Sequence, residues 1–144
     1  MTIHRLFSKD PNDEEENVTQ NIYVFRFILF CIIVYSFEML LNSVDIFIVD
    51  KTIFTRGYVT GCLFAAVYVL ILLHLGLEHP LTKYVSITAV SLIIMAASVS
   101  LTYHMIIIIM MPIIIAGMYT SKQLSIYTFV LTVLSIIIST YAGY

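Results

Sequence analysis

The residues best suited to chemistry are acidic and amide side chains within an apolar run. Glu38, Asn42 and Asp45 are separated by four and three residues, so a helix would place them on one face, with Tyr35 one turn earlier. An ionisable group inside a bilayer costs about 2.5–3.5 kcal/mol on insertion scales, so this face should point into the protein. An inward polar face of this kind predicts a pocket that binds a ligand or takes part in proton transfer. Interhelical hydrogen bonding is the alternative.

The histidines and cysteines do not indicate a metal centre. His74 and His79 lie near the end of one apolar run and His104 in a later polar turn, so no two of them share ligand spacing at one depth. We therefore expect no metal and no cofactor. His104 is included among the ligand-binding candidates. Cys31 and Cys62 are expected to pack as small buried residues.

No catalytic arrangement is recognisable in the sequence. It has no glycine-rich phosphate loop, no nucleophile elbow and no acid–base pair outside the apolar runs. The net charge is −2 and the basic residues are scattered singly, which argues against nucleic-acid binding. The chain itself is therefore not expected to be an enzyme.

The segments that carry these residues are long and apolar. Hydrophobic residues make up 60% of the 144 and charged residues 11%, against about 25% charged in an average soluble domain. Apolar runs of 18 or more residues indicate transmembrane helices. The sequence predicts an all-α integral membrane protein, a bundle of about five antiparallel transmembrane helices. The predicted spans cover residues 27–49, 58–77, 84–101, 105–119 and 124–141.

The uncharged stretch 84–119 must turn back on itself. As one helix it would be nearly twice as long as the hydrocarbon layer, which is about 30 Å thick. The turn is expected at Thr102-Tyr103-His104, the most polar cluster in the stretch. Pro112 should kink the helix that follows, because it cannot donate a hydrogen bond to the carbonyl of Ile108.

Charge sets the expected orientation. Segment 1–21 is polar, with an acidic cluster at 13–16, and is expected to precede a transmembrane domain over 22–144. Lys and Arg side chains favour the cytoplasmic side. With the N-terminus inside, the cytoplasmic side would hold Arg5, Lys9, Arg26, Lys83 and Lys122, and the outer side Lys51 and Arg56. The expected location is the cell membrane, with a cytoplasmic N-terminus and Tyr144 outside.

Two patterns of small residues predict helix packing. Gly57, Gly61 and Ala65 repeat at four-residue steps, which permits close backbone approach. The last span has a Ser/Thr stripe with steps of four and three residues, formed by Ser121, Ser125, Thr128, Thr132, Ser135 and Ser139. Packing is the preferred interpretation and a polar cavity wall the alternative. The side chains then expected towards lipid or the bundle flanks are Leu124, Ile126, Tyr127, Leu131 and Leu134.

The C-terminal part of the chain resembles a bacterial membrane sensor module. The segments that carry the resemblance are Thr102-Tyr103-His104, Met111–Ala116 (MPIIIA), Tyr119–Lys122 (YTSK) and Ile137–Tyr144 (IISTYAGY). Over about residues 65–144, this order is similar to the N-terminal region of some GGDEF-type diguanylate cyclases. The resemblance implies one further helix and then a cytoplasmic catalytic domain. Neither that helix nor a GGDEF motif occurs in this chain, so it is expected to be an input module without cyclase activity.

The expected function is that of a membrane-embedded sensory or signal-input module, the N-terminal part of a cyclic-dinucleotide signalling protein. One alternative is a small transporter or its substrate-binding subunit, with Glu38 in the substrate path. The other is a structural membrane subunit. A transporter would more often show broken helices or an inverted repeat. Besides the lipid bilayer, the expected partners are a second copy of the chain or an attached cytoplasmic signalling domain.

Overall fold

A computed structural model describes residues 11–46, 49–101 and 106–142, with side chains described over 17–46, 49–99 and 108–141. Every regular element within these ranges is a helix. The helices are α1 (Pro11–Ser43), α2 (Lys51–Leu75), α3 (Thr82–Leu101), α4 (Ile106–Ile109), α5 (Met111–Gly117) and α6 (Lys122–Ala142).

Four of these helices are long and apolar enough to cross a bilayer. The candidate spans are Asn17–Ser43, Lys51–Leu75, Thr82–Val99 and Lys122–Tyr141. The helices and these four candidate spans confirm the expectation of an all-α, multi-pass membrane protein.

The predicted span 105–119 is not one continuous helix. Its described part consists of the four residues of α4 and the seven of α5, interrupted at Met110. End to end, residues 106–117 would reach only about 18 Å, which is short of the roughly 30 Å hydrocarbon layer. Pro112 explains the interruption, because it has no N–H and is tolerated only in the first turn of a new helix. A bundle of five spanning helices is therefore not confirmed.

The first helix begins and ends earlier than predicted. α1 starts at Pro11, so residues 13–16 belong to its first turns. It ends at Ser43 instead of residue 49, and Asp45 beyond it has a φ of 59°, which a right-handed helix does not accept.

α2 in turn begins at Lys51, well before the predicted residue 58. Its N-cap is Asp50, whose carboxylate accepts hydrogen bonds from the backbone of Thr52 and Ile53.

α3 is the central helix of the described bundle. It packs against α1, α2 and α6 and also contacts α4 and α5. Within its apolar window 56% of the residues are buried, whereas the other three candidate spans have 11–22%. Those three helices expose large apolar side chains such as Phe30, Leu73 and Phe129, as expected for surfaces that face lipid.

Candidate functional site

The predicted polar face of α1 divides into an inward part and an exposed end. Tyr35 and Asn42 are buried, with exposures of 4% and 2%, and Glu38 between them is partly buried. Asp45 lies in the turn after α1 rather than on this face. Its carboxylate is exposed and pairs with Lys51, with 2.7 Å between Oδ1 and Nζ. The inward face thus ends at Asn42.

Tyr35 joins α1 to α2 through packed aromatic rings. Its ring stands nearly perpendicular to those of Phe54 and Tyr58, at centroid distances of 5.3 and 5.4 Å. Gly61 lies against the same ring, because a Cβ added there would be 3.4 Å from Tyr35 Cε1. The hydroxyl of Ser36 is 2.9 Å from that of Tyr58. We refer to Tyr35, Phe54, Tyr58 and Gly61 as the aromatic contact.

Glu38 lies one turn after Tyr35. Among the residues that the structure describes, its carboxylate has no hydrogen-bond or ion-pair partner. Tyr35 and Asn42, one turn before and one turn after Glu38, are both buried. His104, the remaining ligand-binding candidate, lies outside the described residues. In the described ranges, no three His, Cys, Asp or Glu side chains come together in a group that could hold a metal ion.

The small residues predicted to pack differ in burial. In α2, Gly61 is buried, while Gly57 and Ala65 are partly buried. The Ser/Thr stripe of α6 faces inward in its middle: the buried members are Thr128, Thr132 and Ser135, with Ser121 and Ser139 partly buried and Ser125 exposed.

One expectation for α6 is wrong. Leu124 was expected towards lipid or the flanks, yet it is fully buried. The physical reason is its position, one turn before Thr128 on the inner face of the helix. Ile126 and Leu134 are 58% and 49% exposed and lie outward as expected, while Leu131 is partly buried.

A second polar cluster lies near the start of the membrane-spanning part of α1. We call it the Asn21 cluster, and its members are Gln20, Asn21, Tyr68, Ser86 and Tyr119, all buried. Sequence reasoning missed it because residues 1–21 were assigned to a polar segment outside the membrane domain.

Asn21 connects α1 to two loops. Its Nδ2 donates to the carbonyl of Leu77 between α2 and α3, at 2.8 Å. Its Oδ1 accepts from the hydroxyl of Tyr119 between α5 and α6, also at 2.8 Å. The neighbouring Gln20 donates through Nε2 to the carbonyl of Met118, at 2.6 Å. Both loop carbonyls are thereby satisfied by amide side chains of α1.

The remaining members extend the cluster into α2 and α3. The hydroxyls of Tyr68 and Ser86 are 3.0 Å apart. Burial raises the pKa of the Tyr119 phenol above its ordinary value, and the nearby Tyr68 raises it further. Tyr119 lies outside the four candidate spans. Its hydroxyl therefore stays protonated at neutral pH and remains the donor to Asn21.

A sequence signal for this cluster was present. The buried positions Asn21, Ile28, Tyr35 and Asn42 recur every seven residues along α1. A seven-residue repeat marks a continuous inward face of a helix. Extending the predicted face backwards from Tyr35 would have placed Asn21 inside the bundle.

Comparison of the chain with protein-family models, with curated proteins and with solved structures finds no match.

Proposed function

We propose that the chain is a membrane-embedded sensory or signal-input module, the N-terminal part of a cyclic-dinucleotide signalling protein. The observation that carries the proposal is that one helix, α1, holds both parts such a module needs. Its second half presents the carboxylate of Glu38 beside the buried Tyr35 and Asn42. Its first half is hydrogen-bonded to two loops through Gln20 and Asn21.

The ligand class follows from the chemistry of Glu38. A carboxylate away from water is stabilised by a cation or by hydrogen-bond donors. Tyr35 places an aromatic ring one turn before Glu38, and Asn42 places an amide one turn after it. This combination suits a small ligand with a cationic or amino group. Proton uptake by Glu38 would supply the same neutralisation without a ligand.

Binding near Glu38 would be passed along α1. A continuous helix moves its two halves together, so a shift or rotation at Glu38 would also displace Asn21. The hydrogen bonds that join Asn21 and Gln20 to the α2–α3 loop and to the α5–α6 loop would change in the same step. The signal would therefore reach the end of the molecule where these loops lie.

We assign that end to the cytoplasmic side. Lys83 and Lys122 lie in the first turns of α3 and α6, at the end of the bundle that holds the Asn21 cluster, and Arg26 follows Asn21 by five residues in α1. Lys51 and Arg56 lie at the opposite end, in the first turns of α2. This distribution supports a cytoplasmic N-terminus.

The same geometry supports a fifth crossing. α3 starts beside the Asn21 cluster and ends at Leu101, yet Tyr119 contacts that cluster again. The chain between Leu101 and Tyr119 must therefore return towards the side on which α3 starts.

With Cys31 and Cys62 replaced by alanine, single cysteines at Thr102 and Thr120 should react with impermeant reagents from opposite sides of the membrane. Reaction from one side only would leave residues 106–117 as a re-entrant segment.

The signalling role is tested in the complete reading frame. We expect the frame to continue beyond Tyr144 through another helix into a diguanylate cyclase domain. In cells that express it, Glu38→Gln should change the cyclic dinucleotide level at equal membrane abundance. Ser43→Ala is the matched control, because Ser43 is exposed and bonds only within α1. An unchanged level in Glu38→Gln, or a frame without an output domain, would contradict the proposal.

A transporter is the second candidate, and one observation favours it. The interruption at Met110, just before Pro112, resembles the broken helices at transporter binding sites. Uptake of a labelled cationic substrate into proteoliposomes, abolished by Glu38→Gln, would favour this alternative over signalling.

A further inference from the structure

Hydroxyl side chains in α3 and α6 differ in how they are paired. Four of the buried or partly buried ones donate to the carbonyl four residues earlier in their own helix, at 2.7–2.9 Å. These are Thr88, Ser98, Thr128 and Ser135. The hydroxyls of Ser91, Thr132 and the partly buried Ser139 have no hydrogen-bond partner among the described residues, and of these Ser91 and Thr132 are only 2% exposed.

Ser91 and Thr132 lie on helices that pack together. The Tyr127 ring of α6 stands edge-on to Tyr84 of α3, at a centroid distance of 5.5 Å, and its hydroxyl is 2.8 Å from that of Thr88. These contacts set the two helices side by side at their first turns. Ser91 follows Tyr84 by seven residues and Thr88 by three, so it lies on the face of α3 that is turned towards α6.

Thr132 lies at a similar depth. It follows the buried Thr128 by one turn on the inner face of α6. Counted along the axes, Ser91 is about 4.5 Å beyond Thr88, and Thr132 is about 7.5 Å beyond Tyr127. The register of the two helices therefore brings both hydroxyls to a similar depth, midway along α3 and α6.

We infer that Ser91 and Thr132 form an internal binding site between α3 and α6 for a small, uncharged, hydrogen-bonding molecule, namely water. The only charged side chains of α3 and α6 are Lys83 and Lys122, both in the first turns of their helices. A charged ligand at mid-depth would thus have no counter-charge from either helix.

Size and hydrogen bonding select water within the uncharged class. Both residues are almost completely enclosed, and neither α3 nor α6 is interrupted between its ends. Water both donates and accepts, and a buried water typically makes about three hydrogen bonds to otherwise unsatisfied groups. Two unpaired hydroxyls on facing helices supply such groups. This inference is independent of the signalling role proposed above.

Water-edited solid-state NMR of the full chain in deuterated lipid bilayers tests the site. Magnetisation transfer from water to Ser91 and Thr132 should be several-fold faster than transfer to Thr128 and Ser135. The last two are matched internal controls, because they are buried hydroxyls on the same α6 face but bond to their own helix. Equal transfer rates at all four positions would overturn the inference.

Variants separate a shared site from two independent ones. Thr132→Val keeps the side-chain shape and should abolish fast transfer at Ser91, while Thr128→Val should leave it unchanged. Thr132→Ser retains the hydroxyl and should preserve the transfer, which controls for folding. Persistence of fast transfer at Ser91 in Thr132→Val would overturn the shared site.

Discussion

The two halves of α1 bury polar residues by different means. In the first half, Asn21 exchanges hydrogen bonds with a loop carbonyl and with the Tyr119 hydroxyl, so both ends of its amide are paired. In the second half, Tyr35 is held by ring contacts and close approach to Gly61, and Glu38 beside it has no partner among the described residues.

This difference separates a rigid region from an adaptable one. Hydrogen bonds to loop carbonyls are directional, and losing one partner leaves the other buried and unpaired. Aromatic contacts are less directional and tolerate small displacements. The Asn21 cluster is therefore suited to coupling a movement of α1 to the two loops, and the region around Glu38 to accepting the ligand that we propose. Four variants, ordered by expected effect, test this contrast.

Asn21→Ala should have the largest effect. It removes both hydrogen bonds of the amide, so the Leu77 carbonyl loses this donor and the Tyr119 hydroxyl loses this acceptor, at about 1–3 kcal/mol for each group that is left without a partner away from water. We expect a clearly lower melting temperature in detergent. Gln123→Ala, at an exposed amide early in α6, is the control. If both variants melt alike, the Asn21 cluster does not stabilise the bundle.

Gly61→Val should have the next largest effect. The added side chain meets the Tyr35 ring, which is itself packed against Phe54 and Tyr58, and overpacking of this kind costs about 1–3 kcal/mol. Thermal melting reports the loss. Gly117→Val is a control for glycine replacement in a helix, because an added Cβ at Gly117 meets nothing within 4 Å. Equal losses in the two variants would contradict close α1–α2 packing at Tyr35.

Tyr119→Phe should be milder, at about 1 kcal/mol, because it removes one hydrogen bond and keeps the ring. The folded-state pKa of Tyr119 is raised above its unfolded value, so its contribution is complete below pH about 10 and is lost as the pH rises further. Melting of the wild type between pH 7 and 11 should therefore fall more steeply than that of Tyr119→Phe. Parallel curves would remove Tyr119 as the source of the pH dependence.

Asp45→Asn should have the smallest effect. The ion pair with Lys51 is well exposed, and exposed pairs contribute about 0–1 kcal/mol. The melting temperature should be unchanged within error at physiological salt. A large decrease would mean that the turn between α1 and α2 is more protected than its exposure indicates, and would weaken the distinction between Asp45 and the inward residues.

The sequence by itself determined the class of protein and one position, Pro112, at which a helix is distorted. Long apolar runs have no stable alternative to helices in a bilayer, because every backbone group must be paired within the segment. Pro112 likewise predicted a kink in its helix from local chemistry alone, and the structure goes further, because the helix is interrupted at Met110. Such features depend on the segment and its solvent, and not on its neighbours.

Tertiary structure decided which faces of those helices are inside. Lipid tails are as apolar as leucine side chains, so hydropathy does not distinguish a lipid-facing Leu from the buried Leu124. The polar residues around Asn21 in the sequence place it in a polar segment outside the membrane domain. In the structure it is buried, because Leu77 and Tyr119, which are distant in the chain, form hydrogen bonds with its amide. Asp45 left the predicted face because α1 ends before it, at Ser43. In each case the outcome depended on where α1 ends or on partners far away in the sequence.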